Sequence, residues 1–138
     1  MGEIVVEIEL ENAEDRSDAR RGRIDEEAVR RESIEAVADT GAVMLALTED
    51  VVERLGLPTV RMLTSTLADG RRGQLPVAGP VTIQIGDRQM LTECIVVPEE
   101  AEALIGQVVM ETLDLIPDPV NQTLGPRPES PDRPLLRV

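Results

Sequence analysis

Asp39, Thr40 and Gly41 are the residues of this chain best equipped for chemistry: a carboxylate, a hydroxyl and a glycine that end the small apolar run Ala36-Val37-Ala38. The run reads as a buried strand and Gly41 as the residue that permits a sharp turn, which leaves the carboxylate at the strand's end. A carboxylate placed there is suited to general acid or base work. It has few rivals. The 138 residues include no His, which removes Ser/His and Cys/His nucleophile pairs, most zinc sites and the usual near-neutral base. Cys94 is the one cysteine, so no disulfide forms within the chain, and with no basic neighbour it reads as a buried core thiol. Neither metal-ligand spacing nor a glycine-rich phosphate loop is found, and no cofactor or metal is expected.

A formal charge of −13 argues against nucleic acid or an anionic membrane as partner, since both are held through an excess of Lys and Arg. All 14 basic residues are Arg. Phe, Tyr and Trp are absent, so the core must be built from Val, Leu, Ile, Met and Ala, and stacking on bases is excluded. No stretch has the charge and apolar pattern of a signal peptide or the roughly 18 apolar residues of a membrane span, and a cytoplasmic location is expected.

The elements that must position Asp39 follow from pattern. Residues 3–11 alternate, with Ile4, Val6, Ile8 and Leu10 on one face and glutamates on the other, as in a half-exposed strand. Asn12 to Arg31 is dense in charge and reads as a long surface loop, with a short helix near Asp25 to Arg30. Ser33 to Ala38 is the strand that delivers Asp39, and Val43 to Leu47 continues beyond the turn. Thr48, Glu49 and Asp50 open a helix that Gly56 ends. Val60 to Leu67 and Gly73 to Val77 flank a polar turn and predict a hairpin, with Pro76 and Pro80 making the returning arm an edge or bulged strand. Val81 to Ile85 and Gln89 to Val97 form a second hairpin around Gly86-Asp87. Leu104-Ile105-Gly106 precedes a brief helix over Val108 to Leu113, and Val120 to Leu124 reads as a last strand. From Pro126 four prolines in nine residues make a poor element of any kind. The order predicts one β-rich domain with one or two short helices.

Asp39-Thr40-Gly41-Ala42, a second apolar run ending in glycine about 60 residues later, and a hairpin between them together resemble the retropepsin-like aspartic proteases. These are single-lobe relatives of pepsin that include retroviral proteases and bacterial homologues. The likeness covers residues 1–125, leaving 126–138 as a proline-rich tail, and the whole chain looks closest to the small bacterial members. The resemblance implies a closed acid-protease-like β-barrel and a homodimer acting on peptide, because one chain supplies one catalytic Asp and the chemistry needs two. It makes Asp39, Thr40 and Gly41 the catalytic loop, with Thr40 bonding across the dimer. It assigns Ala42, Val43, Leu104, Ile105 and Gly106 to the walls and support of the substrate cleft, and Asp69, Gly70 and Arg71 to the tip of a closing flap. Retroviral members carry an acidic residue and an Arg where this chain has Val43 and Gln107, so that charged support of the loop is missing, both halves together. A dimeric peptide-binding or assembly module that keeps the fold without cutting is the second reading the resemblance leaves open.

Overall fold

A computed structural model describes residues 3–66 and 69–135 of the chain. Strands β1 (Val5–Asn12) and β2 (Arg31–Ala38) pair antiparallel, Val5 opposite Val37 and Glu11 opposite Arg31. Their alternation is the expected one, with Ile8, Leu10 and Ala36 buried and Glu7, Glu9 and Glu35 exposed. After the Asp39 loop come β3 (Leu45–Thr48) and a helix (Glu49–Leu55) that Gly56 ends at φ +65°, a left-handed cap that favours glycine. The flap-like hairpin is β4 (Thr59–Thr66) and β5 (Arg72–Ile85), and Gly86, at φ +62°, turns β5 into β6 (Arg88–Val97). A two-residue strand β7 (Leu104–Ile105) leads into a helix over Gln107–Leu113.

These strands form one sheet in the order β1-β2-β7-β3-β6-β5-β4, and β1 also pairs with β5, from Glu9 opposite Gln84 to Asn12 opposite Val81. The second pairing curls the sheet until six strands make a ring, with β4 left outside as an edge. The expected closed, β-rich barrel is present. Its interior is aliphatic: Ile8, Leu10, Leu45, Leu47, Leu55, Val81, Ile83, Ile105 and Leu113 are buried in one cluster, to which the two helices contribute Val51, Leu55, Val109 and Met110. Cys94 sits inside it, its thiol facing the Ala78 carbonyl, and burial pushes that thiol up to about 12. It has no nucleophilic character at neutral pH.

Two expectations need correction. The charged excursion is not a loop: Ala13–Arg20 is a helix, which makes three α-helices among the described residues in place of one or two. We label the helices α1 (Ala13–Arg20), α2 (Glu49–Leu55) and α3 (Gln107–Leu113). Asn12 caps α1 by accepting the Asp15 N–H at 2.9 Å, while its amide donates to the Leu55 carbonyl at 2.8 Å. Asp15 takes the Arg30 guanidinium at 2.8 Å, and Arg16 bridges Glu11 at 2.7 Å and Glu26 at 2.6 Å. Arg16 and Arg30 are therefore consumed within the excursion, whose short 3-10 turn lies at Glu26–Ala28. Of the two forms expected for the returning arm, an edge or a bulged strand, β5 takes the bulged one. Pro76 pairs opposite Met62 within the ladder, and the register shift between Ala78 and Val81 absorbs Pro80, so the returning arm runs on as the central strand.

The second correction concerns the C-terminal part, where two short strands, β8 (Leu115–Asp118) and β9 (Thr123–Pro126), replace the single strand expected at Val120 to Leu124. Asp118 accepts the N–H groups of Val120 and Asn121 and so fixes a turn there, leaving Val120 90% exposed. The segment after Pro126 has no regular element but is bonded down. Buried Arg88 donates to the carbonyls of Leu113, Asp114 and Ser130, and Asp114 receives Arg127 and, at 2.8 Å, the Leu135 N–H. The Arg127 guanidinium, with the Leu135 N–H, holds the Asp114 carboxyl well below the usual carboxylate range. A depressed folded-state value stabilises the fold above the unfolded value of 3.8, and the contribution is lost as pH falls further. Asp114→Asn tolerates the same left-handed backbone, φ +58°, so thermal melts should show wild type ahead by a constant margin above about pH 5, closing in strong acid. A margin that widened on acidification would contradict this.

Candidate active site

The loop from Asp39 to Met44 is set by its neighbours on either side in space. β7 lies between β2 and β3, parallel to the first and antiparallel to the second, so consecutive strands of the chain flank a strand that arrives some 60 residues later. The chain crossing from β2 to β3 must pass over the end of β7, and Asp39 is the first residue of that crossing. Its N–H donates to the Ile105 carbonyl at 3.0 Å, and the Ala38 N–H donates to the Ile4 carbonyl at 2.9 Å. The Ala42 N–H closes the turn on the Asp39 carbonyl at 3.1 Å.

The Asp39 carboxylate is held at one oxygen only. Oδ1 accepts the Gly41 N–H at 2.8 Å, and among the described residues Oδ2 has no hydrogen-bond donor. Half-buried Asp39 lines an open cavity of about 390 Å³ together with Glu3, Ile4, Val37, Ala38, Thr40, Pro117 and Pro119. A carboxylate fixed by backbone at one oxygen, on a residue that lines a cavity, is an arrangement that can exchange a proton with a bound water. A larger cavity, about 500 Å³, lies farther along β2 against α2 and the Glu99–Ala103 segment, but its Arg54 is already paired with Glu32 and Asp50.

The two motif glycines sit in space of different tightness. Gly41 does not adopt positive φ, so its expected role as a permissive turn residue is replaced by another: a Cβ there would stand 3.2 Å from Asp39 Oδ1. At Gly106 a Cβ would stand 2.7 Å from backbone atoms of Val43 and Met44. That close approach lets the first residues of α3 reach the loop, the Gln107 N–H donating to the Ala42 carbonyl at 2.8 Å and the Val108 N–H to the Val43 carbonyl at 3.0 Å. The free N–H groups of a helix start are thus satisfied by the loop itself.

Of the residues singled out from sequence, Asp39, Thr40, Gly41, Ala42, Val43, Leu104, Ile105 and Gly106 are brought together here. Thr40 is exposed, and Val43 is 62% exposed beside Val108. Asp69, Gly70 and Arg71 are not brought to the site. They stand at the hairpin's tip, where Asp69 accepts the Arg71 N–H at 3.0 Å and its guanidinium at 2.5 Å. The residue that sequence reasoning missed is Gln107, whose side-chain amide donates to the Thr40 carbonyl at 2.7 Å. Glutamine carries no signal of this kind, and the two residues are 67 apart in sequence.

No helix among the described residues is long and apolar enough to cross a membrane. No curated protein matches the chain. The family described as gag-polyprotein putative aspartyl protease matches residues 26–112, from the turn before β2 to the last turn of α3. That span holds the Asp39 loop, the flap-like hairpin and the strand and helix that brace the loop, and it is well over half of the chain. By its sequence and by its barrel, the chain belongs to the retropepsin-like family of aspartyl proteases.

Proposed function

We propose that the protein is an aspartic endopeptidase that works as a homodimer, each protomer contributing one Asp39. The observation that carries this reading is the half-satisfied carboxylate of Asp39, a cavity-lining residue on a loop braced by β7 and α3, with one oxygen held by the Gly41 N–H. The chain contains a single Asp-Thr-Gly, so a pair of carboxylates requires two copies related by a two-fold axis. Carboxylates about 3 Å apart cannot both ionise, a behaviour for which aspartic protease dyads are the standing example. The ionised member takes a proton from a water held between them. The protonated member donates its own to the scissile carbonyl oxygen as the water oxygen bonds to the carbonyl carbon. Thr40, exposed at the rim of the loop, would bond across the axis. The Gly41 carbonyl would hold substrate backbone, with Ala42, Val43 and Leu104 beside it. The hairpin tip at Asp69 to Arg71 would close over an extended peptide.

Two protomers of −13 repel each other at neutral pH, and salt screens that repulsion. Sedimentation at increasing protein concentration should therefore show a dimer whose dissociation constant falls severalfold between low and near-molar salt. A monomer at every salt concentration and every pH from 4 to 8 would remove the composite site and with it this reading.

A further inference from the structure

The Thr40–Gly41 peptide group is gripped at both ends. Its N–H, on Gly41, donates to Asp39 Oδ1 at 2.8 Å, and its carbonyl, on Thr40, accepts the Gln107 side-chain amide at 2.7 Å. The carbonyl and N–H of a trans peptide lie in one plane and point in opposite directions, so fixing one end orients the other. We infer that Gln107 is the positioning residue of the Asp39 carboxylate, acting through the Thr40–Gly41 peptide plane. Gln107 is itself placed by its own N–H on the Ala42 carbonyl, so a single residue at the start of α3 spans the turn at two points. A donor engaged at the carbonyl also polarises the peptide and makes its N–H a better donor to the carboxylate. The brace is a neutral amide and does not titrate, so it holds equally in acid and at neutrality, over the range in which a carboxylate brace would lose its charge.

The inference deepens the peptidase reading for its kinetic consequences, while its structural consequences stand apart from activity. Gln107 is exposed, so its variants are expected to fold. Gln107→Met removes the donor. It should lower kcat by about 10- to 100-fold with little change in KM, since the carboxylate is misaimed and the cleft is not altered. Gln107→Glu carries the internal test. Its ionised carboxylate cannot donate to the Thr40 carbonyl, whereas its protonated form can. The ratio of its kcat to that of wild type should be near one below about pH 4 and fall to the Gln107→Met level above about pH 5.5. A residue that merely fills space would give a ratio flat with pH. Independently of activity, amide hydrogen exchange at Gly41 should quicken by about tenfold in Gln107→Met, with the amides of α2 unchanged. Unaltered Gly41 exchange, or a pH-flat Gln107→Glu ratio in an active enzyme, would overturn the inference and leave the peptidase reading standing. Altered exchange in a protein that cleaves nothing would uphold the positioning role and sink the peptidase reading.

Discussion

Asp39→Asn is expected to abolish peptide hydrolysis, by a factor on the order of 10⁴, without measurable loss of stability. The two halves of that expectation have separate causes. The amide oxygen of Asn can still accept the Gly41 N–H that Asp39 Oδ1 accepts at 2.8 Å, so the turn keeps its shape. What is lost is the ability to take or give a proton. The chain has no His, its one thiol is buried with its proton held up to about 12, and the other carboxylate that lines the cavity, Glu3, lies outside the turn that holds Asp39. Digestion of a peptide library from pH 3 to 8, alongside thermal melts of both proteins, checks the two halves together. Residual cleavage above about one part in a hundred would locate the chemistry elsewhere.

Gly106→Ala should act in the opposite sense, on the fold first and on activity through it. The added methyl would meet the Val43 and Met44 backbone at 2.7 Å, well inside contact distance, and backbone atoms cannot swing aside as a flexible side chain can. Relief requires α3 to draw back from the loop, which breaks the Gln107 and Val108 bonds to the Ala42 and Val43 carbonyls. Overpacking of this kind costs about 2–3 kcal/mol, which lowers the melting temperature by roughly 6–12 °C in a domain of this size. Gly41→Ala makes a useful comparison, because its closest contact is a side-chain oxygen at 3.2 Å. It should melt near the wild-type temperature while losing most of its activity. If Gly106→Ala melted with wild type, the close packing of α3 on the loop would be refuted.

The loop itself was legible because its signals are local: an apolar run, a carboxylate, a glycine and a second apolar run. The α2 helix was legible for the same reason, from Thr48 at one end and Gly56 at the other. Helix α1 was not, since Ala13–Arg20 contains only two apolar residues, both alanine, and shows no apolar stripe. What holds it is long-range, Asn12 reaching the Leu55 carbonyl and Asp15 reaching Arg30. The C-terminal strands escaped for a related reason, as Pro117, Pro119 and Pro126 argue locally against strands that pair only with each other. Gln107 was noticed only as the substitute for an arginine. Its donation to the Thr40 carbonyl depends on the Gly106 contact that brings α3 against the loop, and no sequence pattern encodes it.

The composite site is tested most directly by mixing wild-type protein with Asp39→Asn at fixed total concentration, under conditions of free subunit exchange, and measuring hydrolysis against the wild-type fraction. If each active centre needs one carboxylate from each of two protomers, activity follows the square of that fraction, and an equal mixture retains about one quarter. A straight line, with about one half retained, would mean that each chain works alone and would contradict the dyad.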